Sequence, residues 1–422
     1  MTSYADLMAR GLPGRPFDCL KRIGREGDRL KIGVYLVGGA VRDLLLGMRN
    51  IDLDLVVEGD GIEFARWLAE RMEGRIKRYD RFGTALLVFR PGIKLDLASA
   101  RRECYQRPGA LPQVSKGDLK ADLYRRDFTV NSLALCLNSD RFGQLFDPYG
   151  GREDLEEGVI RVLHKLSFSD DPTRIIRAVR FEQRYGFSLE GETESLLKEA
   201  VGAGMLDRIS GQRIGDEFIL ILKEREPIKA IKRLDEFGIL AFLNPEIRID
   251  AQLFGEIEPN LSRFDSRKIE GWMVYLLALV WRLELEPALQ FAQRLYLPKR
   301  ASLLIVDVWK SQERIDHLLS LPSSLPSQIY RALEGLGPEA LAFLLAQRDS
   351  QRLEGFVRVM LQELSKVKLT ISGNDLKRLG IPPGPIYKRI LDRVFEAKLD
   401  GEVRTEKDEL RMVHRSWREN ET

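Results

Sequence analysis

The stretch from Leu36 to Leu55, LVGGAVRDLLLGMRNIDLDL, constrains this chain more than any other. Val34 to Val37 predict a short buried strand, Gly38 and Gly39 break it, and Ala40 to Leu46 predict a helix closed by Gly47. Isoleucine and leucine flank Asp52 and Asp54 in IDLDLVV, which predicts a second strand whose two-residue period turns both carboxylates to one face. Two like charges held that close call for a cation. Paired oxygen ligands suit Mg²⁺, and a glycine turn feeding a helix N-terminus suits phosphate. Two readings therefore stand: a nucleotide site, or aspartates that simply solvate a strand edge.

At 422 residues the chain exceeds one ordinary core, so two to four domains are expected. A hydrophobic share of 44% beside 31% charged residues describes a globular chain, not a disordered one. The longest apolar run, Trp272 to Trp281, is too short to span a bilayer, and Asp6 and Arg10 interrupt any secretory signal, so no membrane partner is expected. Cys19, Cys104 and Cys136 are too far apart for a disulfide framework or a zinc signature, which predicts a cytoplasmic location with free thiols. With only His164, His317 and His414, histidine-based metal hydrolysis and Ser/His/Asp catalysis both lack parts. A net charge of +3 permits a nucleic-acid partner without demanding one.

The architecture predicted is α+β. Residues 1–30 are expected to form a leader and short helix, 31–140 a mixed-sheet head, 141–225 a helical neck, and 226–422 a helical body and tail. Ile62 to Met72 predict a helix with Gly74 as its stop. Thr84 to Arg90 and Ile93 to Ser99 flank Pro91 and Gly92, a hairpin signal that delivers Asp96 beside the first strands as a possible third carboxylate. Glu103 to Leu123, with Pro108, Gly109, Pro112 and Gly117, reads as a long flexible loop beside the site. Beyond Asn138 strand signals fade, apart from a short region between Phe146 and Leu163.

Tyr124 to Ala134 reads YRRDFTVNSLA. Arg125 and Arg126 could hold a triphosphate by bidentate forks, or the segment could be a charged helix start capped by Thr129. In FSDDPTRIIRAVRFEQRYGF, Pro172 predicts a first helical position with Asp171 before it. Arg174, Arg177, Arg180 and Arg184 then fall on one stripe, either an anion-binding surface or a solvated face. Asp171 only accepts hydrogen bonds and Arg174 only donates them. Cytosine and adenine both offer an amino donor beside a ring-nitrogen acceptor, whereas guanine and uracil reverse that order. Such a pair could accept C and A and reject G and U without a template.

With those residues in view, the chain resembles the bacterial class II tRNA nucleotidyltransferase and poly(A) polymerase family of the polymerase-β-like superfamily. VGGAVRD with IDLD, RRDFTVN, and DDPTRIIRAVRF are similar to three of its signatures, in order. The resemblance is strongest from Val34 to Glu224, and SGNDLKRLGIPPGP (Ser372 to Pro385) is similar to a C-terminal helical segment of these proteins. It implies that Asp52 and Asp54 bind catalytic metal, with Asp96 as the third carboxylate. It further implies that Gly39, Arg42, Arg125 and Arg126 contact the nucleotide, that Asp171 and Arg174 read the base, and that Arg177 and Arg180 support that helix or touch phosphate. The chain departs from the family where Glu-Asp is replaced by Asp170-Asp171, and where Glu-Arg is replaced by Gln212-Arg213.

The implied reaction attaches a nucleotide from ATP or CTP to the 3′ hydroxyl of tRNA with Mg²⁺, building all or part of the CCA end. The rival readings are a poly(A) polymerase, a small-molecule nucleotidyltransferase and a non-catalytic RNA-binding relative. The intact aspartate pair argues against the last, because an unused carboxylate pair is a repulsive liability. The helical body is expected to hold RNA by phosphates and shape. Lys377, Arg378, Lys388, Arg389 and Arg393 are candidates for that contact, against the alternative that they are merely solvated. Oligomeric state is not legible.

Overall fold

Val34–Val37 forms β1, buried along its whole length, an interior strand of a seven-stranded mixed sheet of order β3-β4-β5-β2-β1-β8-β9. The computed structural model describes residues 4–12, 14–48, 52–80, 83–90 and 92–418; Ile51 and Pro91, which the sequence reading used, lie outside them. The other strands of this sheet are β2 (Leu53–Val57), β3 (Arg75–Tyr79), β4 (Thr84–Phe89), β5 (Ile93–Ser99), β8 (Ala134–Cys136) and β9 (Leu145–Phe146). Only β2 and β5 run parallel; every other neighbouring pair is antiparallel. β6 (Arg101–Cys104) and β7 (Gln113–Lys116) make a separate antiparallel pair, and β10 (Val159–Ile160) and β11 (Ser188–Leu189) a short parallel one.

The helices of this first unit include α1 (Tyr4–Gly11), α2 (Arg15–Leu30), α3 (Gly39–Leu45), α4 (Gly61–Arg71), α5 (Leu119–Tyr124), α6 (Gly151–Glu157), α7 (Ser167–Asp170), α8 (Thr173–Tyr185), α9 (Gly191–Gly202), α10 (Gly211–Leu222) and α11 (Pro227–Glu236). On one sheet face Tyr35, Val37, Val56, Ala134 and Cys136 pack with Leu119 and Leu123 of α5. The alternation of strand side chains puts Asp54 on the same face as Val56, one step toward the open end.

Several sequence expectations shift. The 103–123 segment is not a structureless loop, since it contains the end of β6, all of β7 and most of α5. All four residues of β7 and alternate residues of β6 face solvent, a pattern that reads as loop when the partner strand is ten residues away, while Glu103 and Asp122 turn inward. The 1–30 leader forms two helices rather than one. Helix α4 ends at Arg71 with Met72 as its C-cap, and the left-handed residue is Glu73 (φ 53°), not Gly74. Gly74 is required for space instead: a Cβ there would sit 2.6 Å from the Phe89 ring.

The chain divides into two compact units, residues 1–242 and 243–422. The second is helical throughout its regular structure. Helix Gly271–Val280, which holds most of the long apolar run, is buried on every side, and no helix among the described residues is long and apolar enough to cross a membrane. At its C-terminal end Ile371, Leu376, Ile381, Ile390, Val394 and Val413 form a core that includes the SGNDLKRLGIPPGP segment.

Candidate active site

The parallel pairing of β2 and β5 sets Asp54 directly opposite Asp96. Both are exposed at the mouth of a cleft, and Asp52 is exposed just ahead of β2. The Asp54 carboxyl is pushed above its ordinary range by partial burial and by Asp96 and Asp52, against the pull of Arg126. That mutual repulsion is the electrostatic signature of a site suited to a hard cation. Among the described residues no three His, Cys, Asp or Glu side chains form a ready-made metal cage. A pair of carboxylates completed by substrate phosphates is the donor set Mg²⁺-type ions commonly use, so these residues fit a divalent ion.

Beside the carboxylates, Gly38 has φ 67°, and a Cβ on it would lie 2.7 Å from Arg126 Nη1. Only glycine satisfies both the left-handed backbone and the close guanidinium. The expected nucleotide glycine, Gly39, opens α3 and lines the same cleft. This cleft, about 560 Å³, is also lined by Arg42, Asp54, Arg125, Arg126, Asp171, Arg174 and Arg177. Eight of the eleven catalytic and nucleotide-binding candidates named from sequence thus line one cavity. Asp96 lines an adjoining cleft of about 280 Å³ that shares Asp54, Arg125 and Arg126. Asp52 and Arg180 line neither.

Arg125 and Arg126 are held by one carboxylate that the sequence reading did not name. Fully buried Asp122 accepts from Arg125 Nε (3.0 Å) and Nη2 (2.8 Å) through Oδ1, and from Arg126 Nη2 (3.0 Å) through Oδ2. Arg125 also donates to Glu103 at 3.2 Å. The buried Arg126 Nε has no acceptor among the described residues. An unused donor beside the carboxylate pair is what a phosphate would engage.

Thr129 does not cap a helix. Its hydroxyl donates to Asp154 (2.5 Å), and residues Thr129–Asn131 form one 3₁₀ turn. That turn aims Asn131 at Arg42 Nη1 (2.5 Å) while Asn131 donates to Asp127 (2.9 Å). Arg42 is buried between Asp43, which accepts from Nε at 2.8 Å, and the Phe181 and Tyr185 rings.

The arginine stripe is real in periodicity but is largely not a free anion surface. Arg177 donates to Asp127 (2.6 and 3.0 Å) and Glu217 (2.9 Å), Arg180 donates to Glu217 (2.9 Å), and Arg184 lies 3.5 Å from Glu224. Burial opposes ionisation of Asp127, yet Arg177 and Asn131 hold it down to about 2. These carboxylates come from other elements, so local periodicity carried no sign of them. The start of α8 also differs: Pro172 is its N-cap residue, and Asp171 caps from one position earlier by accepting from the Thr173 N–H (3.0 Å).

Asp171 faces the cleft from the N-terminus of α8, with Arg174 one turn on. Arg174 is buried and donates to Ser167 Oγ (2.6 Å) and to the Arg125 carbonyl (2.7 Å). Arg213, from the motif where the chain carries Gln212-Arg213, donates to Asp171 Oδ1 (2.7 Å). Glu103 and Tyr105 of the β6 side wall complete the cleft, and the Tyr105 hydroxyl donates to Glu103 (3.0 Å).

Residues 34–161 match the Poly A polymerase head domain, and residues 186–250 match the probable RNA and SrmB-binding site of polymerase A. An A-adding tRNA nucleotidyltransferase of Halalkalibacterium halodurans is 31% identical over 420 residues, covering 97% of this chain and 94% of that protein. This chain belongs to the tRNA nucleotidyltransferase and poly(A) polymerase family. Another family member, the A-adding tRNA nucleotidyltransferase of Geobacter sulfurreducens, is 44% identical over 97% of this chain. The chain spans about half of that longer relative's length, 48%. Among solved structures, a Thermotoga maritima CCA-adding enzyme complexed with tRNA superposes with TM-score 0.75 at 35% identity, covering 99% of each chain. A CCA-adding enzyme in complex with ATP gives TM-score 0.80 at 35% identity, again over 99% of each. Family membership accounts for the three signatures lining one cleft.

Proposed function

We propose that this chain is a template-independent tRNA nucleotidyltransferase that completes the 3′ CCA end, with terminal A addition from ATP as its principal step. The observation that carries the transfer chemistry is the Asp54–Asp96 pair beside Arg126, with the Asp171–Arg174 pair lining the cleft that Asp54 and Arg126 also line. A-addition rather than C-addition is supported by the names of relatives 44% and 31% identical over almost the whole chain.

In this reading Asp52 and Asp54 hold Mg²⁺, with Asp96 beside them. When bound there, the ion supplies charge neutralisation at the α-phosphate and lowers the cost of ionising the attacking hydroxyl. Arg126, through its unused Nε–H, and Arg42 and Arg125 orient the triphosphate. Asp171 accepts from the amino group of the base while Arg174 donates to the neighbouring ring nitrogen. The RNA 3′ oxygen then attacks the α-phosphorus in line, the bond to the bridging oxygen breaks, and pyrophosphate leaves. Positioning and preorganised charge supply most of the acceleration in such transfers.

Exposed Lys377, Arg378, Lys388, Arg389 and Arg393 supply phosphate contacts in the second unit. A cytoplasmic location fits three cysteines without a disulfide. Extension of a tRNA ending in CC is compared with an unstructured RNA under ATP alone. One added residue on the tRNA only supports this function, long tails on both RNAs support polyadenylation, and no extension on either refutes nucleotidyl transfer.

A further inference from the structure

Both arms of the base-reading pair are anchored by hydroxyl groups. Asp171 Oδ1 accepts from three donors: the Thr173 N–H (3.0 Å), the Thr173 hydroxyl (2.6 Å) and Arg213 Nη2 (2.7 Å). An sp² carboxylate oxygen with three donors has no capacity left for a ligand. Asp171 Oδ2 has no donor among the described residues, and the side chain is 22% exposed to the cleft. Arg174 is held from the other side. Its Nη1 donates to fully buried Ser167 Oγ at 2.6 Å and its Nη2 to the Arg125 carbonyl at 2.7 Å, which leaves one N–H on each of these nitrogens, and Nε–H, uncommitted among the described residues.

We infer that the Thr173 and Ser167 hydroxyls are positioning groups for nucleotide choice: they fix Asp171 with one acceptor oxygen turned to the base and Arg174 with its free N–H beside it. The inference rests on the base-reading role proposed for Asp171 and Arg174. Without Thr173 Oγ1, Asp171 keeps Arg213 and one backbone donor, but it gains rotational freedom about χ2. Either oxygen can then meet the base, and the acceptor–donor spacing that matches adenine and cytosine is no longer unique. A carboxylate that can also swing away meets guanine's carbonyl with less repulsion. Ser167 acts on Arg174 in the same manner, because a guanidinium missing one anchor can slide to serve a carbonyl acceptor.

Neither hydroxyl touches a reacting atom in this arrangement, so neither is catalytic. Their signature is a change in selectivity, because sites built on fixed hydrogen bonds discriminate by leaving wrong partners unpaired. Thr173→Val keeps the shape and removes the hydroxyl, Thr173→Ser keeps the hydroxyl, and Ser167→Ala removes the Arg174 anchor.

The test measures equilibrium binding of ATP, CTP, GTP and UTP to the full chain without RNA, alongside thermal midpoints. Wild type is expected to prefer ATP or CTP over GTP and UTP. Thr173→Val and Ser167→Ala are expected to lower that preference about tenfold, and Thr173→Ser to restore it near wild type. A loss of stability with unchanged preference assigns the hydroxyls a structural role and overturns the inference, as does Thr173→Ser behaving like Thr173→Val. A wild type that binds all four alike also overturns it. Failure of the tRNA function registers separately, because no RNA enters the binding measurement.

Discussion

Asp54 and Asp96 face each other as register partners on β2 and β5, the one parallel pair in the seven-stranded sheet. Partial shielding at the cleft mouth raises the Asp54 carboxyl, Arg126 pulls it back, and repulsion from Asp96 and Asp52 raises it further. A raised carboxyl stabilises the fold at low pH and stops doing so as pH rises through its folded value. Asp54→Asn is therefore expected to raise the thermal midpoint at neutral pH relative to wild type, with the difference shrinking in acid, while incorporation falls by on the order of 10³-fold. Scanning calorimetry across pH, paired with single-turnover incorporation, checks both. A less stable variant that retains activity contradicts the assignment.

Asp127 has the opposite sign. Burial raises its carboxyl, but Arg177 and Asn131 outweigh that and hold it at about 2. Its stabilisation is complete above the unfolded carboxylate range near pH 4 and is lost as pH falls toward 2. Asp127→Asn should flatten the acid limb of the stability curve, while Arg177→Ala should destabilise by about 3 kcal/mol by leaving Asp127 and Glu217 without their shared cation. Chemical denaturation between pH 3 and pH 7 reads both effects.

Much of this site was legible in the sequence, and the limit has a physical cause. Strand alternation and a tight turn are local rules, and they place Asp96 on β5 opposite Leu86 of β4; its approach to Asp54 comes from the non-local parallel pairing of β2 with β5. The stripe of Arg174, Arg177, Arg180 and Arg184 was equally legible as periodicity. Its partners were not: Asp127, Glu217 and Glu224 arrive from other elements, and nothing local marks a carboxylate as an ion-pair partner. The β6–β7 ribbon is illegible for a different reason: β7 is exposed at every position and β6 at alternate ones, so neither strand carries a hydrophobic face. Buried Asp122, clamping Arg125 and Arg126, lay inside that segment and went unread with it.

In the second unit, fully buried Glu409 pairs with Lys398 at 2.5 Å and accepts from the Thr370 and Ile371 N–H groups. Burial raises this carboxyl, and those partners bring it below its ordinary value. Glu409→Ala leaves Lys398 and two backbone donors without an acceptor and should cost about 3 kcal/mol. Hydrogen exchange is expected to rise around Thr370 and Ile371 while β1 and β2 stay protected. Unchanged exchange at those two amides contradicts the clamp.

Charge reversal at Lys377 and Lys388, both exposed, tests RNA contact by this unit. The double Glu variant is expected to weaken tRNA binding about tenfold at low salt, with the difference closing as salt rises, and to leave nucleotide binding unaltered. Fluorescence titration at several salt concentrations reads it. Equal affinity at every salt assigns these lysines to solvation.

The most direct measurement is the mass of the product made when the purified chain, Mg²⁺ and all four nucleotides meet tRNAs ending before CCA, after C, or after CC. One adenylate added to the tRNA ending in CC, with no guanylate or uridylate on any substrate, is the predicted result. Guanylate or uridylate in the product, or no mass change on any of the three tRNAs, contradicts it.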